Sequence, residues 1–308
     1  MRVVFFGSPD FAVPSLRALV AERHEVALVV SQPAKPVGRG GAPADPVVAR
    51  EAAALGLPRF QPASLKGDDA VSRLAEAAAD LFVVVAYGKI LPQRVLDLPR
   101  VGCLNVHGSV LPRWRGASPV QAALLAGDLQ TGVSLMRMDA GMDTGPVYAV
   151  ERTAIGETED AGALSARLAE LGAALLVRRL PAIAAGELSP TAQDDELATA
   201  CPKIRREDGR VDFGRPAAEL VRRWRAFSPW PGLFAFRGEA RVKLSGVREV
   251  APRDPAQPGT VLEVGERLVL ACGSGAIGVE ALQAEGRRAL PAAEFARGER
   301  VTAGELWR

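Results

Sequence analysis

Histidine is almost missing from this chain: His24 and His107 are the only two among 308 residues. A metal centre built on several imidazoles is therefore impossible, and no metal is expected. Cysteine is nearly as scarce. Cys103, Cys201 and Cys272 are odd in number and far apart, so they fit neither a zinc-ligand spacing nor a disulfide framework. A reduced, cytoplasmic compartment is the expectation. Nowhere does an uninterrupted apolar run reach the roughly 18 residues that a membrane span needs. The opening "MRVVFFGSPD" has too short an apolar stretch even for a signal peptide. Net charge is also slight: 38 Lys and Arg against 36 Asp and Glu leave +2, so bulk charge selects no partner. Internal repeats and low-complexity tracts are absent.

What is present suits a folded protein with a substantial core. Apolar residues make up 48% of the chain, and its length allows one large domain or two ordinary ones. "RVVFFG", "EVALVVSQP", "DLFVVVAYG", "VGCLNVHG" and "TGVSLMRMDAG" read as strands by length and by β-branched or aromatic content. Helical patterns such as "PVVAREAAALG" and "DAVSRLAEAAA" lie between them, and after the first strand Ser8 is a candidate N-cap with Pro9 at the first helical position. This alternation predicts a doubly wound, mostly parallel α/β sheet, in which ligands bind beyond the carboxyl ends of the strands. A long helix, "GALSARLAELGAALLVRRLPAIAAGE", follows. We expect a first domain over 1–187, a linker over 188–204 where apolar periodicity lapses, and a second domain over 205–308. Short Gly- or Pro-bounded strands in the second, such as "ARVKLSGVREV" and "RLVLACG", have the spacing of a small β-barrel.

Three segments carry candidate chemistry. "GSPDFA" follows the first strand, but Asp10 and Ala12 stand where a dinucleotide-binding fingerprint needs glycine, which argues against a nicotinamide dehydrogenase. In "NVH", Asn105 and His107 are two residues apart at a strand end and so share a face. An amide and an imidazole there suit an oxyanion site, although a strand-end histidine taken alone is more often purely structural. Cys103 shares that face, but no acid is positioned between it and His107 to make a thiol nucleophile. In "MDAGMDTGPVY", Asp139 and Asp143 sit among glycines that let a backbone approach a ligand closely; taken alone, the segment also reads as an ordinary turn.

Taken together, "GSPDFAVPSL", "NVHGSVLPRWRGASPVQ", "MDAGMDTGPVY" and "RAFSPWPG", in this order, closely resemble the methionyl-tRNA formyltransferases, within the family of formyltetrahydrofolate-dependent formyltransferases. The likeness covers nearly the whole chain. It implies a Rossmann-like catalytic domain, formyl transfer from 10-formyltetrahydrofolate, and a catalytic set of Asn105, His107 and Asp143. It also implies a folate site bordered by Ser109, Val110, Leu111 and Pro112, by Gly88 and Ile90 of "AYGKILP", and by Asp139. The barrel would resemble an oligonucleotide-binding fold that contacts tRNA.

The acceptor implied is initiator methionyl-tRNA, for translation initiation, with the chain acting as a monomer and no membrane partner. Residues 202–248 hold 12 Lys and Arg against 5 Asp and Glu, and counterion release rewards such a surface on a polyanion. Candidate phosphate contacts are Lys203, Arg205, Arg206, Arg222, Arg223 and Arg225, the last three outward on a helix whose Leu220, Trp224 and Phe227 face the core. "QPAKPVGRGGAP" matches the family's acceptor-stem loop, with Lys35 and Arg39 its cations. Rival readings are a sugar-nucleotide formyltransferase, which also carries a second domain, and a non-catalytic RNA-binding protein with a degenerate formyltransferase domain. A folate deformylase is expected to carry a regulatory domain ahead of the catalytic one, whereas here the first strand begins at residue 2.

Overall fold

Apolar runs that leave no polar face become the interior strands of a parallel sheet. In the computed structural model, which describes residues 1–36, 41–251 and 256–308, β1 (Arg2–Gly7), β2 (Glu25–Val30), β3 (Arg59–Phe60), β4 (Leu81–Val85) and β5 (Gly102–His107) are parallel neighbours in the order β3-β2-β1-β4-β5. The sheet continues through β6 (Gln130–Arg137), antiparallel to β5, and β7 (Val147–Ala154), antiparallel to β6. The order reverses between β1 and β4, the position where doubly wound sheets open a crevice. Helices α1 (Val13–Ala21), α2 (Val47–Ala54) and α3 (Asp68–Glu76) occupy the crossovers. Val4, Phe6, Leu28, Val30, Phe82 and Val84 form one buried cluster with Leu74 of α3.

Ser8 does not cap a helix. A short 3-10 turn, Asp10–Ala12, precedes α1 without any side-chain cap. The Ser8 hydroxyl instead donates to the Tyr87 carbonyl (3.3 Å) and accepts from the Gln32 amide (3.2 Å), so it ties together the chain beyond β1, β2 and β4. That use across the sheet edge outcompetes the local cap.

The chain divides into two compact units. The first is Met1–Pro119, Gln130–Ile155 and Leu164–Pro202; the second is Val120–Leu129, Gly156–Ala163 and Lys203–Arg308. Most of α4 (Pro119–Ala126) thus groups with the second unit, while α5 (Ala161–Ala184) belongs largely to the first. The second unit therefore comprises three stretches of chain, where one continuous segment after 204 is the expectation from sequence. Its α6 (Ala217–Phe227) draws the earlier stretches in: Arg222 runs its stem past Gly127, and Arg225 bonds the carbonyls of Gly156 and Glu159.

The remaining strands of the second unit are β8 (Leu233–Arg237), β9 (Ala240–Val250), β10 (Val261–Val264), β11 (Leu268–Ala271), β12 (Ala276–Ala284) and β13 (Leu290–Pro291), before a final helix α7 (Ala292–Glu299). They form an antiparallel sheet in the order β8-β9-β12-β11-β10, with β13 on β12. The last residues close it. Arg308 exchanges backbone bonds with Phe236 of β8, while Glu305 and Trp307 bond Val261 and Gly259 at β10. Trp307, 1% exposed, fills the interior.

Candidate active site

The site is built at the carboxyl end of β5. Asn105 pairs with Val84 of β4 on one side and Met136 of β6 on the other, and His107 pairs with Ser134, so both side chains are fixed by the centre of the sheet. Asn105 is half-buried and His107 is 6% exposed.

The loop after β5 folds back over this edge because its own polar groups bond inward. The Ser134 hydroxyl donates to the Ser109 carbonyl (2.7 Å) and accepts from the Leu111 amide (3.0 Å), while the Ser109 hydroxyl donates to the Arg113 carbonyl (2.6 Å). Ser109 and Leu111 are consequently buried, with Val110 and Pro112 half-buried. Of the run expected to border a folate, the Ser109 hydroxyl is engaged by the Arg113 carbonyl and the Leu111 side chain is buried. At Trp114 (φ +62°) and Gly116 (φ +119°) the backbone turns, and two main-chain groups point back at the site. The Trp114 carbonyl meets His107 Nε2 at 2.9 Å, and the Gly116 amide donates to Asp143 Oδ2 at 2.8 Å.

Asp143 arrives from the turn after β6, itself in the left-handed region at φ +55°. Its Oδ1 accepts from Asn105 Nδ2 at 3.3 Å, and its Oδ2 lies 3.6 Å from His107 Nδ1, outside hydrogen-bond range. The three residues expected to act together therefore converge, although 38 positions of chain separate Asn105 from Asp143. A carbonyl only accepts, so the contact with Trp114 calls for a proton on Nε2 of His107 and leaves Nδ1 as the nitrogen facing Asp143. Asp139 is spent on its own loop, where Oδ1 accepts from the Gly141 amide (3.0 Å) and the Thr144 hydroxyl (2.8 Å).

Cys103 is excluded as a nucleophile. It is buried in the core against the Leu96 carbonyl, and burial pushes its thiol up to about 12. Gly88 and Ile90 lie in the open loop after β4, with Ile90 76% exposed. Gly88, at φ +78°, leaves room for Gln32, whose amide donates to the Tyr87 carbonyl at 2.9 Å and whose oxygen accepts from Lys35 Nζ at 2.7 Å. Arg39 lies outside the described residues.

The stretch expected as a linker is in good part a strap on the catalytic unit. Ala200–Cys201 pairs in parallel with Arg115–Gly116, Thr191 bridges Val147, and Thr199 Oγ1 accepts from the Trp114 amide at 2.9 Å. Gln193 reaches the Asp143 turn itself. Such irregular backbone pairing leaves no periodic signal in a sequence. Among the described residues, no helix is long and apolar enough to cross a membrane, and no cluster of His, Cys, Asp and Glu could hold a metal ion.

With this geometry in place, the relatives decide the family. A family model described as "Formyl transferase" matches residues 1–180, and "Formyl transferase, C-terminal domain" matches 203–300. The methionyl-tRNA formyltransferase of Thermus thermophilus is 50% identical over 99% of this chain and 98% of its own length; that of Parvibaculum lavamentivorans is 46% identical over 99% of both. The chain belongs to the methionyl-tRNA formyltransferase family. Membership makes it a formyltransferase.

Solved structures share the fold at lower identity. HypX from Aquifex aeolicus in complex with tetrahydrofolic acid superposes with a TM-score of 0.66 at 20% identity, covering 96% of this chain. The chain spans about half the length of that protein, 47%. An N-formyltransferase from Helicobacter canadensis, solved with folinic acid and dTDP-3-aminofucose, gives 0.67 at 16% identity over 91% of this chain and 98% of that one.

In this formyltransferase the basic residues of the second unit divide. Lys203, Arg205 and Arg206 are exposed, as a phosphate-contacting surface requires. The outward orientation expected of Arg222, Arg223 and Arg225 does not hold: all three are half-buried. Arg223 donates to the Asp208 carbonyl at 2.6 Å, Arg225 donates to Glu159 and Gly156, and burial lowers the pKa of both. Arg223 and Arg225 thus brace α6 through carbonyl oxygens that meet the helix beside its buried residues Ala217, Leu220, Ala226 and Phe227.

Proposed function

We propose that the chain transfers the formyl group of 10-formyltetrahydrofolate to the methionyl amine of charged initiator tRNA. The observation that carries this reading is the convergence of Asn105, His107 and Asp143 at one strand end in a chain related over its full length to methionyl-tRNA formyltransferases.

The chemistry follows from the donor set. An amine attacking the formyl carbon leaves negative charge on its oxygen. Asn105 has a second amide hydrogen beyond the one given to Asp143, and His107 Nδ1, once protonated, is a further donor. One such donor contributes roughly 10²–10³ in rate. The Asp143 carboxylate, 3.6 Å from Nδ1, stabilises that protonated form, while the Trp114 carbonyl keeps the ring from turning. With His107 held in that protonated, donating state, the Asp143 carboxylate takes the proton from the attacking amine and passes it to the leaving folate nitrogen. The exposed loops at Gly88, Ile90 and Asp139–Met142 border the open edge of the site and suit a flat pterin with its stem. Lys35, Arg39, Lys203, Arg205 and Arg206 are the cations we assign to tRNA phosphates.

Labelled 10-formyltetrahydrofolate offered with charged initiator tRNA, uncharged tRNA, glycinamide ribonucleotide or an amino sugar nucleotide tests the reading. Label on the methionyl amine alone is the expected result. Label on the sugar amine would move the acceptor to a sugar nucleotide, and no transfer at all would leave an RNA-binding protein.

A further inference from the structure

The Asp143 turn is closed by a residue far from it in sequence. Gln193, on the strap after α5, donates through the same Nε2 to the carbonyls of Asp143 (2.8 Å) and Gly145 (2.7 Å). Its Oε1 accepts from Arg115 Nε at 3.0 Å, and the other end of that guanidinium donates to Asp195 Oδ1 at 2.7 Å. Arg115 is bonded through its peptide to Gly116, whose amide holds the Asp143 carboxylate. The contacts make a ring: Asp143 carboxylate, Gly116 backbone, Arg115 side chain, Gln193 amide, Asp143 carbonyl. Asp143 is thereby gripped from both sides while its backbone sits at φ +55°, a conformation that surrounding bonds must maintain.

From this ring we infer that Gln193 is the positioning residue for Asp143: it fixes the turn that aims the carboxylate at His107 and Asn105. The inference rests on the catalytic reading of Asp143 given above. The side chain fits the task by its chemistry. Two carbonyls need a donor and a guanidinium needs an acceptor, and a primary amide offers both. A glutamate in its place keeps the bond to Arg115 and turns an oxygen against two carbonyl oxygens. An asparagine is one methylene short.

The test measures formyl transfer to methionyl-tRNA by Q193A, Q193E, D143N and the double variant D143N/Q193A, with the thermal melt of each. Because a displacement of about 1 Å in a reacting constellation costs on the order of 100-fold, Q193A and Q193E should lose roughly 10- to 100-fold in kcat. KM for both substrates should be unchanged. The double variant should be no slower than D143N, since a residue acting through Asp143 has nothing left to position. A Q193A loss that multiplies with that of D143N, a rise in KM alone, or a Q193E variant with full kcat would overturn the assignment. If D143N itself turns over normally, the catalytic reading of Asp143 fails instead, and Gln193 loses its role with it. Should Q193A melt early, Q193E retains the bond to Arg115 and keeps the comparison interpretable.

Discussion

The replacement of Gly116 by alanine separates conformational strain from steric clash. Gly116 has φ +119°, and a Cβ built on it falls closer than 3.0 Å to the Cys201 carbonyl oxygen of the strap, a backbone atom that cannot swing aside. The conformation alone costs a side-chain-bearing residue roughly 1–3 kcal/mol. Relieving the clash separates Arg115–Gly116 from Ala200–Cys201 and lengthens the Gly116 amide bond to Asp143, each at roughly 1 kcal/mol or more. The sum is about 3–5 kcal/mol, a large share of the roughly 5–15 kcal/mol that holds a domain folded. At about 2–4 °C per kcal/mol for a unit of this size, the melt should fall by roughly 10 °C. Gly56→Ala is the matched control in the same unit: its φ is +67° and nothing lies within 4 Å of a built Cβ. It should lose only about 1–2 kcal/mol, the cost of the left-handed backbone. Thermal melts followed by circular dichroism measure both. Equal shifts in the two variants would refute the claim that the strap is packed against Gly116.

Other outcomes follow from the same geometry. Asn105→Ala should lower kcat by roughly 10²–10³ with the melt unchanged, as expected for one missing oxyanion donor; steady-state assays at saturating folate decide it. Burial raises all three thiols, Cys103 to about 12, Cys272 to about 11 and Cys201 in the same direction. A raised pKa keeps each in the protonated, unreactive form below that value, so at pH 8 a disulfide reagent should label none in the native protein and all three in urea. Replacing exposed Arg205 and Arg206 with alanine should flatten the dependence of log K for tRNA on log salt by about 1 for each phosphate contact removed. Arg223→Ala should leave that slope alone and lower the melt, because its guanidinium is already bonded to Asp208.

How far the sequence speaks depends on the range of the interaction. The strands were readable from their apolar runs, and the shared face of Asn105 and His107 from a spacing of two, since both are properties of a few consecutive residues. That Asp143 would meet them was not: the turn crosses to β5 from beyond β6, and only the family likeness pointed to it. Trp114 and Gly116 lie within "NVHGSVLPRWRGASPVQ", but they act through a main-chain carbonyl and a main-chain amide, groups that the side-chain letters of a sequence do not display. Gln193 left no mark at all, being a polar residue in an aperiodic segment. Arg223 and Arg225 misled for a related reason: a helical wheel shows which face is charged and cannot show that distant carbonyl oxygens will meet it.

The three-part composition of the second unit bears on how the protein can be taken apart. A fragment beginning at Lys203 would carry every strand of the barrel and yet lack residues 120–129 and 156–163. In such a fragment the half-buried guanidinium of Arg225 keeps its charge and loses the Gly156 and Glu159 acceptors, leaving unmet donors at the surface of α6. The barrel is thus not an independent cassette to be grafted or expressed by cutting at the strap. Transplanting it onto another catalytic domain requires carrying along α4 and the turn before α5, two segments that lie earlier in the chain than the boundary itself.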